Sequence, residues 1–326
     1  MNIVLSDDYQ NCVRSLKCFA GLASHAVTLH TNTLIDQDAL VARFANADAL
    51  ILIRERTRID RALLQRLPKL KLISQTGRAA NHVDIAACTE AGIVVAAQGD
   101  ATNAAAEMTW ALLLGISRQL VTEANAFKAG KWQTALGTTL HGKTLGILGY
   151  GRIGALVARY ATAFGMHSVV LGDREATTAR AIQDGLKVIA ARSDFFERCD
   201  VLSLHARLTP QSRGMVTAAD LAGMKPSAIL LNTSRAELIE PGALVAALKA
   251  GRPGFAGIDV HEAEPIFDMN YPLLELPNVL ATPHIGYVEE ETYERYFGFA
   301  IEQVLAWEKG EALNLLNPEV WAHRRR

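Results

Sequence analysis

The chain has 326 residues, of which 50 % are hydrophobic and 21 % charged, a profile that excludes extensive disorder and gives enough length for two domains with buried cores. Its 33 basic and 34 acidic side chains leave a formal net charge of −1. No basic excess is available to neutralise a nucleic-acid backbone or an anionic lipid surface, so neither is an expected partner.

In chain order, the opening "MNIVLSDDYQ" sets Asp7 and Asp8 directly after a short apolar run, unlike a signal or transit peptide. Apolar runs of strand length then alternate with longer helical patterns. The first hundred residues carry "NIVLS", "HAVTLH", "ADALILI", "LKLISQT" and "IVVAA", with amphipathic stretches from Asp36 to Ala45 and from Asp60 to Leu67 between them. This alternation predicts an α/β domain around a parallel sheet. An Ala- and Leu-rich segment from Ala101 to about Lys128 predicts one long helix, ended by Gly130. Its apolar part, Ala104 to Ile116, is shorter than a membrane span and contains Glu107. A second alternating series, "KTLGILGY", "SVVLGDR", "LKVIA", "VLSLHA", "AILLNTS", "FAGIDV" and "NVLATPH", predicts a second doubly wound sheet. After Pro283 a last helical stretch, Glu289 to Lys309, runs into a polar tail ending in "HRRR", which reads as solvated. Cys12, Cys18, Cys88 and Cys199 form no CxxC pair and no metal-ligand spacing, so a reduced cytoplasmic setting without a metal is expected.

The second series opens with a phosphate-loop signature. In "KTLGILGYGRIGALVARYATAFG", Gly149, Gly151 and Gly154 have the GxGxxG spacing between an apolar strand and an Ala-rich helix. Gly149 permits the tight turn, Gly151 lets the backbone approach a pyrophosphate, and Gly154 lets the helix pack closely. Asp173 follows at the end of the next strand, where a carboxylate binds both ribose hydroxyls and repels a 2′-phosphate, favouring NAD over NADP. Arg174 beside it tempers that preference. An S-adenosylmethionine site competes, but the full three-glycine spacing suits a pyrophosphate better.

Catalytic groups in open α/β sheets lie beyond the carboxyl ends of the strands. After "AILLN" comes Arg235; after "FAGI" come Asp259 and then Glu264 before Pro265; after "NVLATP" comes His284. Each alone has a bland reading as a loop or turn residue. Together, a cation, a carboxylate and an imidazole follow three successive strands of a sheet that already carries a dinucleotide loop.

Through "GKTLGILGYGRIG", "LHARLTPQSRGMV", "LLNTSRAELIE", "GIDVHEAEP" and "ATPHIGY", in order and spacing, the chain resembles the D-2-hydroxyacid dehydrogenase family, which includes phosphoglycerate dehydrogenases and glyoxylate and hydroxypyruvate reductases. Similarity extends to "TGRAANHVD" and "AAAEMTWALLL". The resemblance implies two doubly wound parallel-sheet α/β domains, with a Rossmann NAD-binding domain (101–290) inserted into a flavodoxin-like substrate-binding domain (1–100 and 291–326). It further implies a homodimer formed through the helix 101–128, and an NAD-dependent oxidoreductase of a small D-2-hydroxy or 2-keto acid. Arg235, Glu264 and His284 are the implied catalytic trio. His284 supplies the proton, since an imidazole titrates near neutrality; Glu264 orients it through the other ring nitrogen; and Arg235, nearly buried, grips the substrate carboxylate and carbonyl.

By the same carry-over, the cofactor is expected to touch Gly149, Gly151, Arg152, Ile153, Gly154, Asp173, His205, Thr209, Thr233, Ser234, Asp259, His284 and Gly286. The substrate is expected to meet Arg54, Gly77, Arg78 and Arg235. Three arginines suit a substrate with a second negative charge. The chain departs from the family pattern at Arg207, where proline is usual, at Ala236, where glycine follows the catalytic arginine, and at Tyr287, where a small residue is common. An NAD-sensing corepressor of the same fold is the alternative function. Formate oxidation is less favoured, because the family's formate enzymes have Gln where Glu264 stands.

Overall fold

The structure is a computed structural model that describes residues 1–78 and 80–326; Ala79, inside "TGRAANHVD", lies outside the described residues. The chain divides into two units, Met1–Asp100 with Glu289–Arg326, and Ala101–Val288.

In the first unit β1 (Asn2–Leu5), β2 (Ala26–Leu29), β3 (Ala49–Ile53), β4 (Leu72–Thr76) and β5 (Val94–Gln98) form a parallel sheet in the order β2-β1-β3-β4-β5, the flavodoxin-like winding. β3 and β4 are buried at every residue, because both faces of a parallel sheet are covered; β3 accordingly reads as an unbroken apolar run, whereas β4 carries Ser74, Gln75 and Thr76 into the interior. α1 (Gln37–Phe44), α2 (Arg61–Gln65) and α3 (Ile85–Glu90) cover one face, burying Phe44, Leu63, Leu64 and Cys88 against Leu50, Leu52, Ile73 and Val95. Each helix starts on an aspartate. Asp36, Asp60 and Asp84 accept from the N–H groups of Ala39, Leu63 and Ala87 at 2.8, 3.0 and 2.8 Å.

The second unit contains α4 (Thr102–Ser117), α5 (Leu120–Lys128), β6 (Thr144–Leu148), α6 (Arg152–Ala163), β7 (His167–Leu171), α7 (Glu175–Gln183), β8 (Lys187–Ile189), α8 (Arg192–Arg198), β9 (Val201–Leu204), α9 (Ala218–Gly223), β10 (Ile229–Asn232), α10 (Ala243–Lys249), β11 (Phe255–Ile258) and β12 (Val279–Ala281). Its sheet is parallel, in the order β12-β11-β10-β9-β6-β7-β8. The strand period of two splits the core into two layers. Leu148 and Leu230 face α8, α9 and α10 with Phe195, Phe196 and Leu244, while Leu145, Ile147 and Leu231 face α4 and α6 with Leu113 and Val157. Each fully buried Leu, Ile or Phe contributes about 1.5–3 kcal/mol. The chain returns to the first unit as α11 (Glu290–Glu308), tied to β4 where Ser74 Oγ meets Ala300 O at 2.9 Å and Gln303 Oε1 at 2.7 Å.

One expectation is corrected. The segment 101–128 is not a single helix, because α4 ends at Ser117 and Gln119 takes a left-handed conformation (φ 52°) before α5 begins. The Ser117 carbonyl accepts the N–H of Thr138 at 2.6 Å, so it is taken by a distant residue rather than by the next turn of helix. The apolar period carries no sign of this long-range competitor.

Candidate active site

The glycine turn joins β6 to α6. Gly149 has φ +97°, and a Cβ there would lie 2.6 Å from Ala206 Cα and 2.6 Å from the carbonyl carbon of His205, so only glycine fits beneath the end of β9. A Cβ on Gly154 would meet Gly149 O at 2.7 Å, whereas one on Gly151 would find nothing within 4 Å. That open space lies at the N-cap of α6, a helix with no acidic residue in its first turn and no side-chain cap. Uncapped N–H groups and the positive end of the helix dipole suit a pyrophosphate, so these residues fit a dinucleotide. Asp173, exposed just beyond β7, stands where the carboxylate that binds the ribose hydroxyls is expected. Tyr150, between the first two glycines, is buried, and its hydroxyl donates to Asp184 at 2.8 Å.

Beyond β9, His205 Nε2 lies 2.8 Å from Ser203 Oγ, and burial lowers its pKa to about 4, keeping the ring neutral. The next turn closes through Ser212, whose Oγ accepts from Thr209 N at 2.8 Å and donates to Arg207 O at 2.7 Å. Beyond β10, Asn232 folds the turn that carries the arginine: its Nδ2 donates to Arg235 O at 2.9 Å and its Oδ1 accepts from Ser234 N at 3.0 Å. Ser234 Oγ donates to Ala206 O at 2.8 Å, and Thr233 Oγ1 pairs with Thr109 Oγ1 at 2.6 Å. Arg235 is partly buried rather than nearly buried, because it stands on the turn beyond the carboxyl end of β10 and not within the strand; one of its guanidinium nitrogens donates to Ser234 O at 2.7 Å.

β11 and β12 supply the rest. His284 Nδ1 lies 2.5 Å from Glu264 Oε2, with 18 % of the histidine and 26 % of the glutamate side chain exposed. The other oxygen of Glu264 accepts the His261 N–H at 2.8 Å. Burial alone would raise the Glu264 carboxyl, but the hydrogen bond and charge of His284, with the His261 N–H, overcome it and lower the pKa below the ordinary value. Asp259 is almost fully buried and takes three donors: Thr282 Oγ1 at 2.6 Å, Ile285 N at 2.8 Å and Gly286 N at 2.7 Å. Burial raises its pKa in spite of those bonds. Thus Asp259 clamps the loop in which His284 adopts φ 52°.

The structure brings Glu264 and His284 into contact, and sets Arg235 at the end of β10, the strand paired with β11. In the first unit it brings Arg54 and Gly77 together at the ends of the paired strands β3 and β4. Arg54 has φ 53°; its N–H donates to Thr76 Oγ1 at 3.0 Å, its carbonyl accepts from Gln75 Nε2 at 2.9 Å, and its guanidinium lies 5.9 Å from the Tyr296 ring centroid. A Cβ on Gly77 would overlap that guanidinium, coming within 3.2 Å of its Cζ. Arg78 is exposed.

Three residues that shape the site escaped the sequence reading: Asn232, His261 and Thr282. His261 is buried, and its Nε2 meets Thr282 O at 2.9 Å, joining the loops that follow β11 and β12. Their only sequence signal is a polar residue at a strand end (Asn232, Thr282) or three positions past one (His261), which many turns share. Among the described residues no group of His, Cys, Asp and Glu could hold a metal ion.

A seven-stranded sheet wound outward from β6, with a glycine turn opening onto an uncapped helix and an acid after the next strand, defines a dinucleotide-binding α/β domain. The chain belongs to the D-isomer specific 2-hydroxyacid dehydrogenase family, whose NAD binding domain matches residues 110–286. It is 36 % identical over 293 residues to a glyoxylate reductase of Thermococcus litoralis, covering 86 % of this chain and 87 % of that one. It is 38 % identical over 263 residues to a D-3-phosphoglycerate dehydrogenase of Mycobacterium bovis, covering 80 % of this chain but 49 % of that one, so it spans about half the length of that relative. The solved structure of a phosphoglycerate oxidoreductase from Vibrio cholerae O395 is 45 % identical, with TM-score 0.91 over 95 % of this chain and 99 % of that one.

Proposed function

We propose that the protein is an NAD-dependent oxidoreductase that interconverts a D-2-hydroxy acid and its 2-keto acid. The observation that carries this reading is the His284–Glu264 contact beyond the carboxyl ends of the same parallel strands that lead to Arg235 and the glycine turn. When bound, the nicotinamide supplies or accepts a hydride at C2 of the substrate. In reduction His284 gives the carbonyl oxygen a proton from Nε2, since Nδ1 is engaged by Glu264. The anionic carboxylate of Glu264 stabilises the imidazolium before transfer and holds the ring afterwards. Arg235 binds the carboxylate and polarises the carbonyl; oxidation reverses these roles. Asp259 and Gly286 lie beside His284 for the carboxamide, His205, Thr209, Thr233 and Ser234 flank the cofactor, and Arg152 and Ile153 open the phosphate-binding helix.

On this reading the second unit holds NAD and the first unit binds substrate, with the Gly77–Arg78 backbone receiving the carboxylate. Arg54, fixed at backbone and guanidinium, suits an anionic group, and the phosphoglycerate relatives make a 2-keto acid with a second negative charge the first substrate to try. A homodimer is supported by α5, which buries no residue and exposes Leu120, Val121 and Phe127, followed by exposed Trp132 and Leu136. A cytoplasmic setting agrees with four free cysteines.

The test is loss of NADH absorbance with glyoxylate, hydroxypyruvate, pyruvate and phosphohydroxypyruvate, with NADPH in parallel and His284→Ala as control. Turnover that depends on His284 is the expected result. Bound NADH with no keto acid reduced overturns the reading.

A further inference from the structure

His284 has a second neighbour besides Glu264. The loop "PHIGY" turns back on itself: His284 is left-handed, Val288 N–H donates to Ile285 O at 2.8 Å, and Asp259 holds the N–H groups of residues 285 and 286. A Cβ on Gly286 would come within 2.9 Å of Asp259 Oδ2. The tightness of this turn carries Tyr287 beneath the imidazole. Its side chain is buried, with the residue 6 % exposed, and its ring centroid lies 5.4 Å from that of His284 with the planes at 83°.

One hydrogen bond fixes a point and not a plane. The terminal torsion of a histidine is broad, so a ring held only at Nδ1 can still pivot and carry Nε2 away from its target. Glu264 supplies the point, and a perpendicular aromatic ring in edge-to-face contact supplies the plane. Proton transfer depends on that second restraint, since misplacement of a reacting group by about 1 Å can cost about a hundredfold in rate.

We propose that Tyr287 is a positioning residue that, with Glu264, sets the direction of His284 Nε2 toward the substrate carbonyl. The inference rests on the dehydrogenase reading of His284. It also gives a role to a residue that departs from the family pattern, in which a small residue is common at this position.

The test compares Tyr287→Phe, which keeps the ring, with Tyr287→Ala and Tyr287→Leu, which remove it; the leucine variant retains apolar volume should the alanine variant fail to fold. The expected result is a kcat about tenfold lower for Ala and Leu, equivalent to about 1.4 kcal/mol, with the keto-acid KM and the NADH dissociation constant nearly unchanged and Phe restored to wild-type kcat. Wild-type kcat in the leucine variant overturns the proposal. So does a joint rise of KM and NADH dissociation constant, which marks general loosening, or a Phe variant as impaired as Leu. Nitrogen-15 relaxation spectra of the His284 ring provide a readout independent of turnover: one restricted ring orientation in wild type and Phe, added ring motion in Leu, with the tautomer held by Glu264 in all of them. If the wild type reduces no keto acid, the functional reading fails, and these spectra alone decide whether Tyr287 orders the ring; identical spectra in all variants overturn it.

Discussion

Glu264→Gln removes one negative charge and almost no volume. Both carboxylate oxygens of Glu264 accept: Oε2 faces His284 Nδ1 at 2.5 Å and Oε1 receives His261 N–H at 2.8 Å. Glutamine offers one carbonyl oxygen and an NH2 group, so one of the two donors must face another donor. The backbone N–H cannot rotate away, so the imidazole loses its acceptor. A hydrogen bond to a charged group contributes about 1.5–3 kcal/mol. The 26 % exposure of the glutamate argues against a larger figure. Applied to the transition state, that range lowers kcat by about 10- to 160-fold. The assay is steady-state NADH oxidation with a saturating keto acid, alongside NADH binding to confirm an intact cofactor site. A kcat within about twofold of wild type refutes the argument. The sign with pH follows from the lowered carboxyl. Its stabilising contribution is complete above the ordinary value of 4.5 and is lost as pH falls through the folded value below it. The stability gap between wild type and the glutamine variant, read by denaturation, therefore closes in acid.

Gly149→Ala combines a left-handed backbone with a Cβ 2.6 Å from Ala206 Cα, for a loss of about 2–5 kcal/mol; a wild-type denaturation midpoint with normal NADH binding counts against the tight-turn account. Gly77→Ala displaces the Arg54 guanidinium, so the keto-acid KM rises by about tenfold or more while NADH affinity holds; an unchanged KM removes Arg54 from substrate binding. Burial holds His82 and His205 down to about 4, against an ordinary value of 6.5. The unfolded chain therefore takes up protons that the folded one refuses, and stability falls as pH drops from 6.5 toward 4. His205→Asn should flatten part of that slope in a thermal-midpoint series, and an unaltered slope contradicts a neutral His205 in the folded protein.

Much of this was legible before any coordinates. Every quoted apolar run overlaps a strand of the structure, from Asn2–Leu5 to Val279–Ala281, because the strands of a parallel sheet covered on both faces are mostly apolar. Glu289 caps the last helix through the N–H of Thr292 at 2.8 Å, at the boundary expected from the sequence. The failure at Ser117 has a different character. The hydrogen bond that ends α4 comes from Thr138, and no local pattern encodes a partner so far along the chain.

The sequence by itself determined the element types, the glycine turn and the identity of the polar groups at the strand ends, since periodicity, backbone freedom and strand polarity act over a few residues. Only the tertiary structure decided how those groups are held. Asp259 reaches residues 282, 285 and 286 and His261 reaches Thr282 because strands β11 and β12 lie side by side in the sheet, and the turn that Asp259 clamps in this way sets Tyr287 under His284. Such contacts depend on distances between loops, which the order of strands sets and a linear pattern of residues does not contain.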